Sequence, residues 1–99
     1  MNLTQQFESD MYNIYHQACK EGYTPSYFLR IVDEQGGIDA ARVLINRKKP
    51  TDGFRKLWEL GRLDLSAEAL VKNNPRYHGL FSQQTIQNAT RRLKLYGYV

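Results

Sequence analysis

Cysteine is all but missing: Cys19 stands alone among 99 residues, so no internal disulfide can staple the fold, and a reducing compartment suits such a chain. Long apolar runs are missing as well. No stretch approaches the roughly 20 residues that a membrane-spanning helix needs, and Met1 to Ser9 lack the basic and apolar blocks of a secretory leader. A cytoplasmic protein is therefore expected. No segment alternates apolar and polar residues for the length of a strand, none repeats, and none is of low complexity. P-loop, dinucleotide-binding and nucleophile-elbow patterns are all absent. His16 and Cys19 stand three apart on one helix, but a closed zinc site takes four ligands and His78 is the only other histidine. No metal, no cofactor and no enzyme activity are expected from such a residue set.

Acids are missing from one end. After Glu68 there is none, while Lys72, Arg76, Arg91, Arg92 and Lys94 follow. Residues 1–40 carry two basic and six acidic residues, a net of −4, and residues 41–99 carry twelve and four, a net of +8. A surface of one sign attracts phosphate backbones or acidic proteins through its long-range field. It can also serve only to keep a domain in solution.

What is present reads as helices throughout. A chain of 99 residues suffices for one core, and residues 1–99 are expected to form a single all-α domain of about six short helices. Phe7, Met11, Ile14, Tyr15 and Ala18 recur at helical spacing over about Thr4 to Glu21, and Gly22 stops that helix. Thr24-Pro25 reads as a cap and first-turn proline for a second helix, with Phe28, Leu29, Ile31 and Val32 on its buried side. A third runs from about Ile38 to Asn46 and exits through Arg47-Lys48-Lys49-Pro50. Thr51 caps a fourth, about Asp52 to Leu60. A fifth starts near Asp64 to Ser66 and ends at Asn73-Asn74-Pro75. A short irregular or 3₁₀ piece leads to Ser82, the cap of the last helix, about Gln83 to Leu95.

The run from Gly53 to Val71 spells a helix, a glycine stop, a polar joint and a second helix, an αα-corner. Phe54, Leu57 and Trp58 make one apolar face there, which predicts a buried Trp58. Arg62 is expected to donate to the open carbonyls of the helix before it, and Asp64 to cap the helix after it. Glu68 falls in the first turn of that helix, where its charge suits the dipole.

The last helix carries the sharpest functional signal. Gln84, Gln87, Asn88 and Arg91 stand at i, i+3, i+4 and i+7, one face of amides and guanidinium with no acid among them. Amides and arginines are the side chains that can read base edges bidentately. Lys48, Lys49, Arg91, Arg92 and Lys94 are the expected phosphate ligands, with Gln84, Gln87 and Asn88 for bases or further phosphates. The seven tyrosines suit stacking on bases and equally suit a protein interface.

The chain carries two resemblances. Ser82-Gln83-Gln84-Thr85-Ile86 together with Arg92-Leu93-Lys94-Leu95-Tyr96-Gly97-Tyr98-Val99 resembles the recognition helix of winged helix-turn-helix proteins, without the wing hairpin. Across most of the chain, Tyr23-x-Pro25-x-x-Phe28-Leu29, Gly36-Gly37, Gly53-x-x-x-Leu57-Trp58-Glu59, Arg62-Leu63-Asp64-Leu65-x-x-Glu68-Ala69-Leu70-Val71 and Arg92-Leu93-x-x-Tyr96-Gly97-Tyr98 together form a pattern similar to that of short helical domains of bacteria and phages. That resemblance implies a helical fold and carries no activity. Two functions stand: a nucleic-acid-binding module using the basic C-terminal half, or a protein-interaction module, of the kind a phage or mobile element uses as an inhibitor, docking on an acidic partner.

Overall fold

Asn2 and Gln5 start the first helix by satisfying one another. The Asn2 side chain accepts from the Gln5 N–H at 2.8 Å, and the Gln5 side chain accepts from the Asn2 N–H at 3.1 Å. Such a reciprocal box supplies acceptors for two N–H groups that a helix start otherwise leaves bare. In the computed structural model, which describes residues 1–98, helix α1 (Leu3–Lys20) is followed by α2 (Ser26–Gln35), α3 (Gly37–Ile45), α4 (Asp52–Glu59), α5 (Ala67–Asn73) and α6 (Gln83–Leu95). Single 3₁₀ segments at Leu63–Leu65 and Pro75–Leu80 lead into α5 and α6, and no strand occurs among the described residues. The protein is an all-α domain of short helices.

The expected boundaries hold to within a few residues, and several caps are those read from the sequence. Thr51 accepts from the Phe54 N–H and Ser82 from the Thr85 N–H, each at 3.1 Å. The expected Thr24 cap is not made: the Thr24 side chain does not cap α2, which begins at Ser26 immediately after Pro25 with no side-chain cap. The chain reverses after α4 at Gly61, where φ is 70°. There the Gly61 N–H donates to the Trp58 carbonyl at 3.0 Å and the Arg62 N–H to the Leu57 carbonyl at 2.8 Å. That paired reversal needs a left-handed residue, which glycine supplies without a Cβ clash.

Only Gly36 separates α2 from α3. Beside it, Gly37 lies so close to α1 that a Cβ there would stand 2.7 Å from the Glu8 Cα. The Glu8 carboxylate accepts from the Gly37 N–H at 2.9 Å. It takes the place of the missing side-chain cap, and its charge suits a helix N-terminus. Helices α1, α2 and α3 pack on one another, α5 and α6 form the other close pair, and α3 touches both groups. The Cα radius of gyration, 12.2 Å, is close to the roughly 13 Å of a compact chain of about 100 residues.

Two apolar clusters make the interior. The larger joins Phe7, Met11, Val32, Ala41, Ile45, Leu70, Val71, Tyr77, Phe81 and Ala89 with their neighbours. The smaller joins Ala18, Phe54, Leu57, Leu63, Leu65, Ala69 and Leu93, with Tyr23, Tyr96 and Tyr98 packed against it. Helix α5 lies between them: every residue from Leu65 to Val71 is buried. Seven residues are too few to hold a helix in water, so α5 owes its structure to what surrounds it.

Candidate functional site

Helix α6 turns Thr85, Ala89 and Leu93 inward, and the residues on the opposite side of the helix face out. Its outward side meets the exit of α3. Asn46, Arg47, Lys48 and Pro50 form one wall of a groove, and Asn88, Arg91, Arg92, Leu95 and Tyr96 form the other, around an open volume of about 460 Å³. No acid lines it. Of the eight residues expected to bind a partner, the fold brings Lys48, Asn88, Arg91 and Arg92 to this groove. Lys49 adjoins the first wall in sequence. Gln84, Gln87 and Lys94 are exposed on α6 but do not line it.

Arg92 corrects the expectation of a free phosphate ligand. Its side chain is only 9% exposed and pairs with the buried Glu68 carboxylate at 2.9 Å. The same guanidinium donates to the Leu44 carbonyl at 3.0 Å and also to the Arg47 carbonyl. Arg92 thus completes the end of α3 and ties the 46–50 segment to α6. Among the ion pairs of the described residues this is the only one with both side chains under a tenth exposed. Burial pushes the Glu68 carboxyl above its ordinary value, and the Arg92 hydrogen bond and charge pull it partly back. The signal in the sequence was a lone acid inside the run Ala67-Glu68-Ala69-Leu70-Val71.

Asn88 is also less available than its helical position suggests. Its Oδ1 accepts from Gln84 at 2.9 Å and from Arg91 at 2.7 Å, while its Nδ2 donates to Asn46 Oδ1 at 2.8 Å. Asn46 continues the chain to Thr85 at 3.1 Å. One N–H of Asn88 is left for a ligand. Asn46, unmarked in the sequence, is the hinge of this network.

The cations divide into two groups. Arg30, Arg42, Arg55, Arg62, Arg76 and Arg92 each have a carboxylate within ion-pair distance. Arg47 turns its guanidinium toward the Tyr27 hydroxyl, 3.5 Å away. Arg47, Lys48 and Arg91 are then the groove cations without a carboxylate partner among the described residues, and of these Lys48 and Arg91 are not turned toward Tyr27.

Trp58 corrects a second expectation. It is 50% exposed, whereas its companions Phe54 and Leu57 are 4% and 6% exposed. Tryptophan is large enough to be anchored along one side while remaining open on the other. The anchor is Tyr96, whose ring meets Trp58 nearly perpendicularly with centroids 5.6 Å apart and meets Phe54 in the same manner at 5.1 Å. Because Tyr96 also lines the groove, the tryptophan is continuous with it. Leu95, 81% exposed, stands on the same rim.

The αα-corner differs in detail from its expected form. Arg62 donates from Nε and Nη2 to the two Asp64 oxygens at 3.0 and 3.1 Å and from Nη1 to Glu21, rather than to the carbonyls of α4. Those carbonyls are already met by the reversal at Gly61. Asp64 lies in the 3₁₀ segment, and it is Ser66 that caps α5, accepting from the Ala69 N–H at 3.1 Å. The Arg62 hydrogen bond, with the arginine charge behind it, holds the Asp64 carboxyl below its ordinary value. Glu68 does occupy the first turn of α5, as expected.

A second cleft, between the two apolar clusters, is lined by Tyr15, Tyr23, Phe28, Leu57, Ser66 and Glu68 among others and measures about 50 Å³. That is room for roughly one or two water molecules. No group of three or more metal-ligating side chains occurs among the described residues, and no helix there is long and apolar enough to cross a membrane. No family model, curated protein or solved structure matches the chain.

Proposed function

We propose that the protein is a non-catalytic helical module that binds nucleic acid along the groove between the 46–50 segment and α6. One observation carries this: Lys48 and Arg91 face a groove with no lining acid, while six of the seven remaining arginines are paired with carboxylates. Fixed positive charge left unneutralised at a concave surface favours a polyanion, and releases counterions when one binds. Lys49, next to Lys48 in the chain, and Lys94, exposed on α6, add to the positive field around the groove without lining it. Gln84 and Gln87, exposed on the outer face of α6, are the amides placed to touch bases or further phosphates.

Leu95 favours the second reading, since a leucine 81% exposed beside cations also suits a protein interface with an acidic, apolar-centred partner. The two readings part on salt. Nucleic-acid affinity measured over a salt series should fall on a straight line of log affinity against log salt. Replacing Lys48 and Arg91 together by glutamine should flatten that line by roughly 0.7–0.9 for each phosphate no longer neutralised. Absence of binding to DNA and RNA at low salt overturns the nucleic-acid reading and leaves the acidic protein.

A further inference from the structure

We infer that the ligand of this groove is single-stranded nucleic acid, with Trp58 and Tyr96 stacking its bases while Lys48 and Arg91 hold its phosphates. The inference rests on the nucleic-acid reading above and narrows it.

Three features separate a single strand from a duplex. First, the polar face that α6 would bring to a major groove is tied to itself and to the 46–50 segment: Gln84 and Arg91 both bond Asn88 Oδ1, and Asn88 bonds Asn46. Base-edge reading there competes with bonds already made. Second, Arg92, which would extend a phosphate-tracking face, is held inside by Glu68 and two carbonyls. Third, the available cations border an aromatic edge. Trp58 is half exposed, Tyr96 props it from one side, and Tyr96 itself lines the groove with Arg91. In a duplex the base faces are stacked on each other and give an exposed indole nothing to stack on. An unpaired strand presents a π-face at every nucleotide together with its phosphate, the combination that a cation groove with an aromatic rim accommodates. The absence of a lining acid favours that polyanion over an apolar peptide, which would need no cations.

Trp58 is the only tryptophan of the chain, so its fluorescence reports the event directly. Unmodified protein is titrated with a short oligothymidylate strand and with a mixed-sequence duplex of equal length. The strand should quench the fluorescence and bind at least about tenfold more tightly than the duplex. Trp58→Leu keeps an apolar side chain but no ring, and should weaken strand binding about 5- to 150-fold without changing the salt slope. Trp58→Phe should retain most of the affinity. Equal affinity for strand and duplex, or a Trp58→Leu variant that is folded by circular dichroism and binds the strand normally, overturns the single-strand inference. In those cases the salt response of the Lys48 and Arg91 variant still upholds the wider nucleic-acid reading. Absence of binding to strand and duplex alike at low salt overturns both.

Discussion

Arg91 and Arg92 follow one another on α6 and both line the groove, yet Arg92 is held in the interior while Arg91 is exposed. Arg92 is held by a buried carboxylate and two main-chain carbonyls, whereas Arg91 makes one bond, to the Asn88 side chain, and is otherwise exposed. About 100° of helix rotation separates a cation that builds the fold from one that is available to a ligand. The lesson for a basic sequence is that net charge overstates what a partner can feel. Six arginines here already have carboxylate partners, and the free positive charge at the groove is a small remainder.

The strongest way to break this contrast is to remove one half of the inner pair. Arg92→Ala or Glu68→Ala leaves an uncompensated buried charge and should cost about 3–5 kcal/mol in chemical denaturation, a large share of the roughly 5–15 kcal/mol available to a domain. Replacing both together, Arg92→Met with Glu68→Leu, should recover much of that loss, because the cost comes from stranding a charge rather than from losing a strong attraction. A fully stable Arg92→Ala protein would erase the distinction.

The half-exposed pair at the corner sharpens it. The folded value of the Asp64 carboxyl lies below its unfolded value, so the stability it contributes is present above the unfolded value, about 3.9. That contribution is lost as pH falls through the folded value. Asp64→Asn should therefore unfold with a flatter dependence on pH at the acid end, seen by thermal melts across that range. Glu68 works with the opposite sign. Its folded value is raised, so its contribution is complete below the unfolded value and fades as pH rises through the folded one.

The smallest effect belongs to the exposed neighbour of Arg92. Arg91→Gln should change stability by less than about 0.5 kcal/mol, measured in the same denaturation assay. A larger loss would place Arg91 with the interior after all.

Much of the fold was legible because local chemistry set it. Thr51 and Ser82 announce helix starts, Gly61 a helix stop, and Phe7, Met11 and Ala18 the buried side of α1. Asn2 with Gln5 was equally readable as a capping box, though the periodicity alone suggested a start near Thr4. The fates of Trp58 and Arg92 were not legible. Spacing identifies which residues share a helix face but not how wide the covered sector is, and both residues sit at its edge. On α4 the cover ends before Trp58; on α6 it extends over Arg92 because the α3 exit crosses there. Glu68 and Arg92 are 24 residues apart, and only the packing of α5 against α6 brings them together. For the same reason Lys48 and Arg91 could be named as candidates, while the groove that joins them could not.

The bonds from Arg92 to the Leu44 and Arg47 carbonyls make the shape of the groove part of the fold. The order of the α3 exit is coupled to the docking of α5 on α6, because the guanidinium that fixes that segment is the same one that pairs with Glu68. The two walls are therefore preorganised: on the proposed function, a ligand would meet a main chain already set, and binding would carry little of the entropy loss that a floppy basic loop imposes. The corollary is that the groove should not open by local fraying. Amide exchange at the end of α3 should follow the unfolding of the α5–α6 pair as one cooperative unit.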